Sequence, residues 1–417
     1  MQQGINPWAS SQTVDVEKLF SDFGIEPIGT ATSGLPEVPS FMRRGIVVGH
    51  RDYGRIADAI RTGSPFNVMT GFMPSGHPHL GHLMVMKEVV WHVQQGGRGY
   101  IGVADREAHA VRGMSWTQCK EYGREYLACL YALGYEGTTY YQSENTRLKD
   151  LAFEAATKIN FSELQAIYGF TQDTALAHAM SVATQVADIL FPQLDCGPSP
   201  TVVPVGIDQD PHIRLTRDVA YKLRMFLVER RDGCISVRSK NAPEAAIEAV
   251  HRAFPGSKKY EGHVDIPGAS CEAVEERVRA IEIEQGGFGF VLPSATYHTF
   301  MPGLQGGKMS SSVPESFISF WETEKDLKKK VMASLTGGRM TLEEQKKLGG
   351  EPEKCSVYLL NLFHMAPDDG ELAEICRKCR AGEMMCGTCK KETFERTKEY
   401  LKDLREKMDE TAHLVDV

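Results

Sequence analysis

No stretch of this chain approaches the roughly 20 consecutive apolar residues of a membrane-spanning helix. The N-terminus, MQQGINPWASSQTVDVEKLF, lacks the basic-then-apolar profile of a secretory signal. A cytoplasmic protein with no membrane partner is the expectation. Positive charge is also in deficit: the formal net charge is -8, which argues against general coating of DNA. RNA stays open, because a local basic face suffices to neutralise phosphates. Candidate faces are Lys325 with Lys328-Lys329-Lys330, Arg377-Lys378 with Arg380, and Lys390-Lys391; each reads equally well as a solvated helix face. No internal repeat is visible. At 417 residues, 42% hydrophobic and 24% charged, the chain has the composition of a globular protein with two or three domains.

The pattern along the chain is that of an α/β protein. Residues 1–45 read as an N-terminal arm with a short helix around Val14–Phe23. Phe66–Gly71 reads as a buried strand, and Gly81–Met86 opens a helix with apolar periodicity. Gly99–Asp105 and Thr138–Gln142 supply further strands, as does Pro200–Asp210, which runs into a polar loop, with helices from Trp116, Asp150 and Thr216–Leu227 between and after them. This alternation predicts a doubly wound, Rossmann-like parallel sheet over 46–229 and 286–313. Residues 230–285 read as a small α+β insertion, followed by a strand at Phe288–Leu292. From 314 to 417 the periodicity is helical, broken at Gly337-Gly338, Gly349-Gly350 and Pro367, and predicts an all-helical C-terminal domain.

Two short segments carry the chemistry. Pro74-Ser75-Gly76-His77-Pro78-His79-Leu80-Gly81-His82 joins the first strand to its helix. His79 and His82 are three apart at a helix start, where the helix dipole and free N–H groups favour anions. Gly76 and Gly81 allow close approach of a nucleotide. Far downstream, Gly307-Lys308-Met309-Ser310-Ser311-Ser312 places one cation in a Gly/Ser loop that can close over phosphates. The pair suits nucleotidyl transfer from ATP, in which positioning and stabilisation of phosphate charge do most of the work. Ten cysteines suggest reduced thiols or metal ligands rather than disulfides. Cys376-x2-Cys379-x6-Cys386-x2-Cys389, with Cys355 upstream, has spacing suited to zinc or an iron–sulfur cluster, or to plain thiols in a helical turn.

Together the two segments resemble the HIGH and KMSKS signatures of class I aminoacyl-tRNA synthetases. The run Gly206-Ile207-Asp208-Gln209-Asp210-Pro211-His212-Ile213-Arg214-Leu215-Thr216-Arg217-Asp218 narrows the likeness to the archaeal and eukaryotic tryptophanyl-tRNA synthetases. Ile167–Thr171 and Gly337–Gln345 are similar to that family too. The resemblance implies an ATP-dependent enzyme, with Mg²⁺, that activates L-tryptophan and transfers it to tRNA(Trp), acting as a homodimer. It implies catalytic roles for His79, His82, Lys308 and Ser310, and ATP contacts at Gly71, Pro74, Ser75, Gly76, Gly81, Met309 and Ser312. Tryptophan contacts fall at Met69, Glu107, Gln185, Asp208 and Gln209, and anticodon binding in the 314–417 domain. Cys355, Cys379, Cys386 and Cys389, with Cys376 as an alternative ligand, resemble an iron–sulfur spacing found in some bacterial members.

Two departures stand out. The eukaryotic form reads the indole nitrogen with a Tyr and a Gln where this chain has Met69 and Gly102. An acceptor near Asp105 or His109, or a backbone carbonyl, is then needed, because an unpaired buried N–H costs ~1–3 kcal/mol. Ser311 stands where many class I enzymes carry a second lysine, leaving Lys308 as the main loop cation. A tyrosyl-tRNA synthetase, or a synthetase-like tRNA-binding or regulatory protein without catalysis, are the alternative readings.

Overall fold

The structure is a computed structural model that describes residues 24–307, 309 and 313–415. The helix expected around Val14–Phe23, and the site residues Lys308, Ser310 and Ser312, lie outside the described residues. The chain forms two compact units. One comprises the chain up to Asn145, Val202–Asp210 and everything from Ser294; the other comprises Thr146–Thr201 and Pro211–Pro293.

The first unit is built on a seven-stranded sheet in the order β1-β2-β11-β6-β3-β4-β5. The strands are β1 (Glu26–Pro27), β2 (Val47–Arg51), β3 (Asn67–Phe72), β4 (Arg98–Val103), β5 (Gly137–Tyr141), β6 (Thr201–Gly206) and β11 (Ser294–His298). β3, β4 and β5 run parallel, with Met69 opposite Tyr100 and Gly71 opposite Gly102. β3 is buried at every position but Gly71, as a strand covered on both faces must be. β11 is parallel to β6, but β2 is antiparallel to β11 and β1 to β2. The expected parallel sheet is therefore mixed, with an antiparallel edge made by β2 and by β1, which lies in the stretch read as an N-terminal arm. The expected strand at Phe288–Leu292 is absent; the chain there has no regular structure, and the strand begins at Ser294.

The sheet order places the site. From β3 the chain steps one way to β4 and β5, while β6 and β11 lie on the other side of β3, so the order reverses between β3 and β6. Ligands of open α/β sheets sit beyond the carboxyl ends of the strands at such a reversal. The Leu80–Gln94 helix follows β3, and the Ile207–Gln209 turn follows β6. Pro204 offers no N–H to a ladder; Thr70 Oγ1 instead donates to the Pro204 carbonyl at 3.1 Å across the same pair. The core packs Leu83 and Val89 of the helix against Ile101 and Leu130, and continues through Leu327, Leu360 and Leu401 of the C-terminal helices. Those helices include Glu324–Ala333, Leu342–Leu348, Ser356–Leu360, Asp369–Arg380 and Cys386–Glu410, broken where the glycine pairs and Pro367 predict.

The second unit joins the helices Thr146–Ala156, Phe161–Tyr168 and Leu176–Cys196 to an antiparallel sheet in the order β7-β8-β10-β9. Its strands are β7 (Phe226–Arg231), β8 (Cys234–Ser239), β9 (Lys258–Tyr260) and β10 (His263–Pro267). Leu227, expected in a helix, lies in β7, because the preceding helix ends at Leu223. β9 and β10 turn at Gly262, whose φ of 75° is left-handed. Val237, Val264, Ile247 and Val278 form the separate core beneath this sheet.

Candidate active site

His79 is the N-cap of the Leu80–Gln94 helix. Its Nδ1 accepts the Gly81 N–H at 3.1 Å, and His82 Nδ1 accepts the His79 N–H at 3.2 Å. The two imidazoles thus form a reciprocal capping box usually made by Ser and Glu. A nitrogen that accepts carries no proton, so both rings are Nε2–H tautomers. Burial, with the neighbouring His82 adding to it, lowers His79 to about 2; burial lowers His82 to about 4 despite the bond to the His79 backbone. Both are neutral hydrogen-bond donors at neutral pH rather than cations. Their ring centroids are 4.0 Å apart.

Residues without a sequence signal complete this helix start. Tyr126 OH lies 3.3 Å from His82 Nε2, and Phe317 lies against His79 with centroids 5.0 Å apart. The Leu80 N–H donates to the Ile318 carbonyl at 3.1 Å, and His79 bridges Ser319 in antiparallel fashion. Nothing in the Phe317–Ser319 sequence marks it as a partner of the histidines; only the fold brings it there. Met309, expected at the nucleotide, is buried with its Sδ 3.2 Å from where a Cβ on Gly81 would stand. Ahead of Lys308, Gly306 and Gly307 take φ of 84° and 70°, and the Gly307 carbonyl accepts the Gly303 N–H at 2.8 Å. This turn requires glycine at both positions. Gly71, Pro74, Ser75 and Gly76 lie in or after the end of β3, on the segment leading to His79.

The remaining expected contacts fall on four elements. Met69 is buried in β3, two residues before Gly71. Glu107 sits in the first turn of the Asp105–Arg112 helix that follows β4. Desolvation raises its carboxyl to about 7, partly offset by Arg112. An arriving ammonium would reverse that shift by favouring the carboxylate. Asp208 and Gln209 form the turn after β6, and Asp208 Oδ1 comes within 3.0 Å of where a Gly206 Cβ would stand. Gln185 belongs to the second unit, on the Leu176–Cys196 helix. Asp105 accepts the Ser143 N–H at 3.0 Å and the Ser143 hydroxyl with its other oxygen. His109 donates Nδ1–H to the Met114 carbonyl at 2.7 Å and stacks on Trp116. Both groups considered for the indole nitrogen thus carry protein bonds already.

Four of the five cysteines expected at a metal site line one small cavity. Cys355, Cys379, Cys386 and Cys389 surround about 20 Å³ together with Tyr358 and Met384; Cys376 faces a different groove, beside Arg377 and Arg380. Burial, reinforced by the neighbouring thiols, pushes Cys379 up to about 11, and burial with Cys355 beside it pushes Cys389 up to about 12. Among the described residues no three His, Cys, Asp or Glu side chains stand close enough to form a ready metal site.

A histidine-capped helix at the reversal of the sheet, with Met309 of the downstream glycine-led segment close to its first turn, is the arrangement expected of a class I synthetase. Profile comparison agrees: the family described as tRNA synthetases class I (W and Y) matches residues 61–243 and 270–402, and the chain belongs to it. The tryptophan–tRNA ligase of Methanosarcina acetivorans is 51% identical, over 98% of this chain and 97% of that protein. That of Archaeoglobus fulgidus is 48% identical over 97% of both. Among solved structures, the tryptophanyl-tRNA synthetase of Aeropyrum pernix K1 superposes with a TM-score of 0.77 at 32% identity, covering 98% of this chain and 97% of that one.

Proposed function

We propose that the chain is a tryptophan–tRNA ligase, which activates L-tryptophan with Mg²⁺-ATP to tryptophanyl-adenylate and then transfers it to tRNA(Trp). The observation that carries this reading is the reciprocal histidine cap at the sheet reversal, joined to near-full-length identity with archaeal tryptophan–tRNA ligases. In the first step the tryptophan carboxylate attacks the α-phosphorus in line, and pyrophosphate leaves. Nε2–H of His79 and His82 donates to phosphate oxygens from a helix N-terminus, where the dipole adds to their pull. Lys308 meets the charge on the departing phosphates, with Ser310 and Ser312 beside it and Gly71, Pro74, Ser75 and Gly76 lining the nucleotide. Glu107 pairs with the substrate ammonium, Gln209 holds its polar groups, Asp208 orients the turn, and Met69 packs on the indole. The helices from 314 onward contact the anticodon arm. A homodimer is part of the same reading, supported by the exposed apolar Phe153 and Leu176 of the second unit.

Amino-acid-dependent pyrophosphate exchange tests the assignment. Exchange with tryptophan and not with tyrosine is the expected result; tyrosine-only exchange assigns the protein to the other branch of the family, and no exchange removes the enzymatic reading.

The same proposal includes a metal at the cysteine cavity. About 20 Å³ holds one water-sized sphere. Four thiols around one small space are the donor set of a tetrahedral zinc site, and that volume suits a single ion better than a cluster of several atoms. Bound there, the metal would tie the Asp369–Arg380 and Cys386–Glu410 helices to Cys355 as a cross-link. Metal analysis of protein purified without oxygen is expected to give one zinc per chain. Stoichiometric iron would favour the cluster, and the absence of both leaves four reduced thiols.

A further inference from the structure

The signature helix is held at its first residue from two sides. The Leu80 N–H donates to Ile318, and the Leu80 carbonyl, which also closes the first helical turn, accepts Nε2–H of His364 at 2.9 Å. His364 lies 284 residues away in sequence, in a π-helical turn, Asn361–Met365, that continues the Ser356–Leu360 helix. Such turns are uncommon and recur at functional sites, because the wider backbone re-aims a side chain. This one is braced. Arg44 donates to the Leu362 carbonyl at 3.1 Å and to the Ala366 carbonyl at 3.2 Å while pairing with Asp369. Asn361 Nδ2 donates to Thr393 Oγ1 at 2.7 Å and to the Val357 carbonyl at 2.9 Å. His364 is buried, and its Nδ1 has no hydrogen-bond partner among the described residues. A buried imidazole with one nitrogen unpaired is costly to keep. An apolar residue would avoid that cost, so the bond to Leu80 is the feature that accounts for a histidine here.

We propose that His364 is a positioning residue for amino-acid activation: by holding the Leu80 carbonyl, the π turn of the C-terminal helices fixes the angle at which His79 and His82 meet the ATP phosphates. Leu80 lies between the two histidines in sequence and carries no polar side chain, so control of its carbonyl is control of the cap. Loss of this hold would let the first turn shift by a fraction of an ångström, and misplacement on that scale lowers the rate of the chemical step.

The kinetic readout rests on the activity inferred above. Glutamine can place its amide nitrogen where His364 has Nε2; asparagine, of the same polarity, reaches only as far as Nδ1. His364→Asn is expected to lower kcat of tryptophan-dependent pyrophosphate exchange roughly tenfold with KM for tryptophan unchanged, and His364→Gln to retain kcat within about threefold of the parent. Hydrogen exchange over 79–86 reads the same hold without substrate: faster in the Asn variant, parental in the Gln variant. Equal kcat and equal exchange protection in the two variants, whether both parental or both reduced, overturns the proposal. If the parent protein activates no amino acid, it is the functional reading that fails, and the hydrogen-exchange comparison still decides whether His364 holds the helix.

Discussion

Gly81→Ala is expected to lower tryptophan-dependent pyrophosphate exchange about 100-fold while leaving the thermal midpoint unchanged or slightly raised. Gly81 lies in the first turn of the Leu80–Gln94 helix, where alanine is favoured over glycine by ~1 kcal/mol. Propensity alone therefore predicts a more stable protein. The space predicts otherwise for the site: an added Cβ would stand 2.8 Å from Cε1 and 2.9 Å from Nδ1 of His79, and 3.2 Å from Met309 Sδ. The imidazole must rotate away, which breaks its bond to the Gly81 N–H and turns Nε2–H off the phosphates. Met309, which adjoins Lys308 in the chain, is displaced by the same methyl. Steady-state exchange together with a melting curve separates the two effects. Parental exchange rates in the alanine variant would mean that the ring position is irrelevant to catalysis.

A large effect of acid on stability is also expected. His92 and His298 are buried and held to about 4 by desolvation, and in the second unit His212 is held to about 3. His92 is a neutral acceptor for the Tyr53 hydroxyl at 2.9 Å and donates Nδ1–H to the Glu88 carbonyl. Each is depressed from an unfolded value near 6.5, so the unfolded chain binds more protons and stability falls as pH drops from 6.5 toward 4. A shift of 2.5 units corresponds to about 3 kcal/mol for a fully buried ring, as an order of magnitude. Glu88 works in the opposite sense. Burial raises it to about 7, against a 2.5 Å bond from Thr296, so its contribution is full in acid and is lost as pH rises through 7. Glu107, raised to about 7, acts in the same sense as Glu88, but these two carboxyls oppose five depressed histidines, His79, His82, His92, His212 and His298, so the net slope favours neutral pH. Urea midpoints measured at pH 7.5, 6.0 and 5.0 should fall steadily; a flat series would show that these rings are solvated in the folded protein.

How much of this was legible in the sequence depended on whether a local pattern existed. The strand–turn–helix at 66–86 was readable because buried strand, glycines and helical periodicity follow one another within twenty residues. The 207–210 turn was readable for the same reason. The antiparallel edge was not, since β2 pairs with β11, some 250 residues later, and β1 with β2, and a short strand carries no mark of its neighbour's direction. The end of the helix before β7 was missed because Arg224 and Met225 continue a helical pattern until the strand begins at Phe226. At the site, the histidines were visible but their tautomers were not: Nδ1 is committed to backbone N–H groups, which only coordinates reveal. His364 and Phe317 were invisible for a plainer reason, as each is an isolated residue whose role exists only through a long-range contact.

The strand order carries a consequence for how the protein is made. β2 and β3 are close in sequence, yet β11 and β6 stand between them. A ribosome releases β2 through β5 well before β6, and β11 emerges last of all. Until then the growing chain must keep a two-strand gap open at the centre of its sheet, with unpaired edges on both sides. Early pairing of β2 with β3 would be a trap that has to be undone, so nascent chains halted before Ser294 should be chaperone-dependent and prone to aggregate.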